Sequence, residues 1–134
     1  MTWAQTETQK RVYAILSADA TLSAQVNGIY DHVPQEDVDY PFVVIADDVW
    51  TDRSSHTTNG WDGDLKIHVW YRGKGRKVLH EIMETIDGLI HCQDIAAVGW
   101  KTVELRHNQT LTFVEEDGVT LHGVLDYNYL TVKI

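Results

Sequence analysis

The chain has 134 residues, 43% of them hydrophobic and 23% charged, a size and balance that fit one globular domain spanning 1–134. Two prolines and nine glycines argue against a long disordered tract, and no apolar run approaches the roughly 20 residues that span a bilayer as a helix. With 20 acidic against 11 basic residues and a net charge of −9, general adhesion to duplex nucleic acid is excluded, because that binding depends on neutralising phosphates.

Residues 3–18 read as a helix, with Val12, Tyr13 and Leu16 on one face and Thr6 as its N-cap. Thr21 is expected to cap a short helical turn reaching Val26, which Asn27-Gly28 ends. Ile29 to Gln35 reads as extended, followed by an acidic loop with Glu36, Asp37 and Asp39. Phe42-Val43-Val44-Ile45-Ala46 is short, β-branched and apolar on both faces, the pattern of a buried strand that continues toward Trp50. Residues 51–63 are mostly polar and predict a long loop, of a length more often functional than merely connecting.

Strict alternation returns at 64–71. Leu65, Ile67, Val69 and Tyr71 take one face of a half-buried strand, and Lys66, His68 and Trp70 take the other. Arg72-Gly73-Lys74-Gly75 is a turn into a helix over 76–91, whose apolar stripe runs through Val78, Leu79, Ile82, Met83, Ile86, Leu89 and Ile90. The last third predicts strands at 100–107 and 110–115, a turn at Asp117-Gly118, and a final strand from Val119 to Ile134. The fold class is therefore α+β, an antiparallel or mixed β-sheet with two α-helices packed on one face.

One cysteine, Cys92, forms no intrachain disulfide and reads as a buried thiol. The first residues lack the basic start and apolar core of a signal peptide, so the expected compartment is the cytoplasm.

The search for chemistry yields no catalytic, cofactor or metal set. The stretch Arg72 to Lys77 holds four of the 11 basic residues, but it lacks the spacing of a phosphate-binding loop. It reads as a basic surface turn suited to an acidic partner. His80 and Glu84 stand one helical turn apart, without the second half of a zinc-protease motif. His68 and His122 are expected to face solvent from their strands. Asp31-His32 and Asp47-Asp48 read as solvated acids, and Asp62-Gly63-Asp64 is too short for a calcium loop. Tryptophan is enriched at protein interfaces. The candidate partner surface is therefore Trp50, Arg53, Trp61, Arg72, Lys74, Arg76 and Lys77, with Trp61 its most prominent member.

The order and spacing of several segments carry a resemblance. They are Ile29-Tyr30-Asp31-His32-Val33-Pro34-Gln35, then Tyr40-Pro41-Phe42-Val43-Val44-Ile45, then His68-Val69-Trp70-Tyr71 leading through Gly75-Arg76-Lys77 into the helix, and finally His122-Gly123-Val124-Leu125. Over nearly its whole length the chain resembles the tail terminator (tail completion) family of long-tailed phages, prophages and gene transfer agents. The resemblance implies a structural protein with no catalytic residues. It implies a hexameric ring at the head-proximal end of the tail, assembled in the bacterial cytoplasm, that caps the tail tube, meets the head connector and leaves a channel for DNA. Two other expectations stand beside it: a head-completion or stopper protein of the same neck, and a small metal-dependent hydrolase built on His80 and Glu84.

Overall fold

The computed structural model describes residues 3–32, 39–91 and 99–134, with the side chains of 47, 48 and 102–104 outside that description. Cys92, Glu36 and Asp37 lie outside the described residues, as do the side chains of the Asp47-Asp48 pair.

The described elements are α1 (Ala4–Ala18), α2 (Ala20–Gln25), β1 (Ile29–Tyr30), β2 (Phe42–Asp52), β3 (Gly60–Arg72), α3 (Lys77–Ile90), β4 (Trp100–Val114) and β5 (Thr120–Lys133). The strands form one sheet in the order β1-β2-β3-β5-β4. β1 runs parallel to β2, and every other pairing is antiparallel, so the sheet is mixed. The α+β class expected from the sequence is the class observed, with the short α2 joining the two longer helices.

Helix ends differ from the expectations. Trp3 occupies the N-cap of α1 and makes no side-chain cap, while Thr6 lies inside the helix. Asp19, not Thr21, caps α2: its Oδ2 accepts from the Leu22 N–H at 2.8 Å. An aspartate there satisfies an orphan donor and favours the positive end of the helix. Tyr13 is exposed, while Val12 and Leu16 are fully buried.

Two strands are longer than the polarity of their residues suggests. β2 and β3 continue through the polar stretch, pairing Trp50 with Gly63, Thr51 with Asp62 and Asp52 with Trp61. The loop expected over 51–63 therefore shrinks to residues 53–59. Backbone pairing holds this hairpin, because β3 is bonded on both sides: Trp61 faces Thr131 of β5 as well. Likewise the runs expected at 100–107 and 110–115 are one strand, β4, with register shifts between Thr102 and Glu104 and between His107 and Gln109.

The core lies between the helices and one sheet face. Leu79, Ile82, Met83, Ile86 and Ile90 of α3 meet Val43 and Ile45, then Leu65, Ile67 and Val69, then Leu125, Tyr127 and Tyr129. The strand residues are register partners, Val43–Val69, Ile45–Ile67 and Ile67–Leu125, so they share a face. Each fully buried aliphatic side chain contributes roughly 1.5–3 kcal/mol of transfer free energy. Gly123 lies where α3 comes closest to β5. A Cβ there would stand 2.6 Å from Met83 Sδ and 3.2 Å from a Leu79 methyl, so the missing side chain sets how near the helix sits. Gly63 plays a similar part for Trp50, whose ring lies across it and stacks on Tyr129 at 5.7 Å.

Candidate interaction surface

The seven residues singled out from the sequence fall at two ends of the sheet. Trp50, Arg53 and Trp61 belong to the β2–β3 hairpin end, while Arg72, Lys74, Arg76 and Lys77 lie where β3 turns into α3. Eleven residues of extended chain separate Trp61 from Arg72, roughly 35 Å at strand rise. They do not form one patch.

At the hairpin end the tryptophans are largely used internally. Trp50 is half-buried against the core, and Trp61 is half-buried in a small cluster with Ala4 and Trp100. That cluster pins the start of α1 to the sheet. Arg53 reaches Asp62 across the hairpin at 3.4 Å, an exposed pair of the kind worth well under 1 kcal/mol.

At the other end Arg72 is also engaged. Its Nε donates to Thr120 Oγ1 at 3.0 Å, a terminal nitrogen lies 3.7 Å from Asp117, and its guanidinium stands 4.3 Å over the Tyr40 ring. Asp117 organises the β4–β5 turn by accepting from the Thr120 and Val119 N–H groups and the Thr120 hydroxyl. Those hydrogen bonds, Thr120's first, hold its carboxyl down at about 2. Lys74, Arg76 and Lys77 project into solvent. Gly75 has a φ of 78° with open space around it, so only backbone conformation selects glycine there. Gly75→Ala is expected to cost about 1 kcal/mol, read as a lower midpoint in thermal unfolding with no change in oligomer formation.

The sheet face opposite the helices is not the solvated surface the sequence suggests. His68 and His122 are both buried. Trp70 stacks on His122 at 4.2 Å and on Phe42 at 5.3 Å, and Phe113 leans on His122 at 4.7 Å. His122 Nδ1 donates to Glu115 at 2.7 Å, which leaves Nε2 to accept from His68 Nδ1 at 2.8 Å. Large rings on neighbouring strands cover the imidazoles, and the alternation of β3 and β5 cannot reveal that. Further along this face Asp64 of β3 and Asp126 of β5 are diagonal neighbours, since Asp64 pairs with Asn128 and Lys66 with Asp126. Burial, then the neighbouring Asp126, pushes Asp64 up to about 6. One oxygen of each carboxyl is buried without a partner in its ionised form.

On the helix side, His80, Met83, Glu84, Asp87, His107 and Thr110 border an open cleft of about 190 Å³. Asp87 accepts from the Tyr127 hydroxyl at 2.8 Å and lies 3.2 Å from His107 Nδ1, while Thr110 donates to His107 Nε2 at 2.6 Å. Burial first, and then Asp87, raises Tyr127 well above the ordinary phenol range. This chain ties α3 to β4 and β5. Among the described residues no three His, Cys, Asp or Glu side chains converge to hold a metal ion, so His80 and Glu84 share a cleft without forming a centre.

Two edge features complete the surface, and sequence reasoning identified neither. Between α1 and β1 lies an open groove of about 610 Å³ bordered by Thr6, Gln9, Lys10, Tyr13, Ile29, Tyr30, Asp31 and Ile45. At the opposite edge β4 and its turn expose Leu111, Phe113, Val114 and Val119, each 42–60% accessible. Leu111 and Phe113 are exposed there because the second bulge of β4 flips its parity: Leu105 and His107 face the helices with Tyr129 and Tyr127, whereas Leu111 and Phe113 face away with Val124 and His122, and Val114, paired with Leu121, faces the helix side.

These surfaces define an α+β scaffold whose polar groups serve turns, packing and contact. The family model described as "Tail completion protein gp17" matches residues 10–131. The chain belongs to that family of tail completion proteins. The tail completion protein gp17 of Bacillus phage SPP1 is 26% identical over 131 residues, covering 96% of each chain. A chain in the virion of a native gene transfer agent particle has the same fold, with a TM-score of 0.85 at 22% identity, over 92% of this chain and 93% of that one.

Proposed function

We propose that this protein is a tail terminator: a structural component of a phage or gene-transfer-agent particle that caps the tail tube as a hexameric ring. In that position it ends tube polymerisation and presents the surface that meets the head connector. The observation that carries the proposal is membership of the tail completion family over residues 10–131. The likeness in fold to a gene transfer agent chain over 92% of the length supports it.

The physical chemistry agrees. A closed ring repeats one heterologous contact, so each copy needs two different surfaces. The net charge of −9 per copy suits a conduit, because an acidic wall offers DNA no counterion-releasing contacts and lets it slide. The protein itself acts without catalysis in this role.

Electron microscopy and native mass spectrometry of purified particles test the proposal. Six copies at the head-proximal end of the tail are expected. Absence of the chain from tailed particles, or a stoichiometry other than one ring per tail, overturns it.

A further inference from the structure

Two asparagines in the chain precede glycine, in Asn27-Gly28 and Asn59-Gly60. That dipeptide carries its own chemistry. The backbone nitrogen of the glycine can attack the asparagine Cγ, forming a cyclic imide as the side-chain nitrogen departs. The glycine N–H proton leaves with it as part of ammonia, and water then opens the imide to a carboxylate. Glycine favours the attack, because no Cβ crowds its nitrogen and its dihedral angles turn easily. The step is intramolecular, so its rate depends on whether the amide carbon can reach that nitrogen.

The fold holds the two pairs differently. Asn27 is pinned at its side chain and at its backbone. Its Nδ2 donates to the Tyr40 carbonyl at 2.8 Å, and its N–H donates to the Pro41 carbonyl at 2.8 Å. The Val43 N–H donates to the Gly28 carbonyl at 3.0 Å. Turning the Asn27 amide onto Gly28 would break the first of these bonds. Asn59 ends the exposed loop of residues 53–59. Its carbonyl accepts from the Lys133 N–H at 2.8 Å, but its side-chain amide meets no hydrogen-bond partner among the described residues. The Gly60 N–H donates to Ser54 Oγ at 3.2 Å, the long end of the range for such a bond. The Asn59 amide can therefore rotate, and only a hydroxyl competes for the nitrogen it must meet.

Packing favours glycine at position 60, where a Cβ would stand 3.2 Å from the Thr131 carbonyl oxygen and 3.5 Å from that of Arg53. The surroundings also suit the product. His56, Asn59 and Lys133 border an open pocket of about 390 Å³. A carboxylate at 59 would share that pocket with the Lys133 ammonium, and opposite charges attract.

We propose that Asn59 is a site of spontaneous deamidation, which places an acid beside Lys133 while Asn27 stays intact. The reaction consumes only water and does not depend on the ring reading given above.

Peptide mapping by mass spectrometry tests this on the full chain, kept folded in mildly alkaline buffer and, in parallel, unfolded in urea. In the folded protein Asn59 is expected to convert at least about tenfold faster than Asn27, and in urea the two rates are expected to converge, because the protection of Asn27 belongs to the fold. Conversion adds one negative charge, so a later-eluting form is expected on anion exchange. Asn59→Ser is expected to abolish that form and Asn27→Ser to leave it, with circular dichroism confirming that both variants fold. An Asn59 that converts no faster than Asn27 in the folded protein overturns the proposal. So does a later-eluting form that persists in folded Asn59→Ser.

Discussion

Gly123→Val is expected to destabilise the protein by about 2–3 kcal/mol, the upper part of the range for forcing extra methyl groups into a packed core. At this chain length that lowers the thermal midpoint by about 9 °C. The added Cβ would stand 2.6 Å from Met83 Sδ, and both Met83 and Leu79 are buried. Neither can swing into solvent, so α3 must move off β5. The strand itself would welcome a β-branched residue, which makes the sign of the result informative. Gly123→Ala is expected to be milder, because the thioether can adjust to a single carbon. Calorimetry of the two variants beside the wild type checks this. A Val variant as stable as the wild type would mean that α3 packs further from the sheet than the structure shows.

A second large effect concerns pH. Asp64 is raised to about 6 by burial and by the neighbouring Asp126, with Asp62 adding and Lys66 opposing. A carboxyl that holds its proton more tightly in the folded than in the unfolded chain stabilises the fold when protonated. Stability is therefore expected to rise as pH falls from about 7 to about 4.5, and to be lost again as pH climbs through 6. Three acids are shifted the other way: Asp117 sits near 2, and hydrogen bonds lower Asp31 and Asp52. Asp64→Asn imitates the protonated form, since its amide can donate to Asp126. It is expected to add about 1 kcal/mol at pH 7.5, a figure discounted for the partial exposure of Asp64, and to flatten the pH dependence between 5 and 7. Unfolding midpoints measured at several pH values decide the matter. A wild-type curve with no slope in that window would mean that Asp64 does not hold its proton more tightly in the folded chain.

The parts of the fold legible in the sequence were those whose periodicity the structure leaves undisturbed. α3 packs one continuous stripe on the sheet, and β3 alternates from Leu65 to Tyr71 without interruption. β4 reads as two strands because its bulges change which parity faces the core. The hairpin end of β2 and β3 reads as loop because its side chains are polar, although backbone pairing on both sides of β3 keeps it in the sheet. The candidate surface suffered from a related limit. Trp50, Trp61 and Arg72 were singled out by residue type, and the structure uses each of them in contacts between elements far apart in the chain. Leu111 and Phe113 carried no signal, since an apolar residue in a strand is expected to face inward until the bulge is known.

Those bulges also bear on the life of the chain before it reaches a particle. An edge strand of 15 residues offers a template on which any stray extended segment can grow, and misassembly of that kind does not stop at a fixed number of copies. Two offsets in β4 divide the template into short stretches ending near Thr102, His107 and Val114, and a regular strand can match only one of them at a time. Unassembled copies are therefore expected to remain dispersed in storage and during expression.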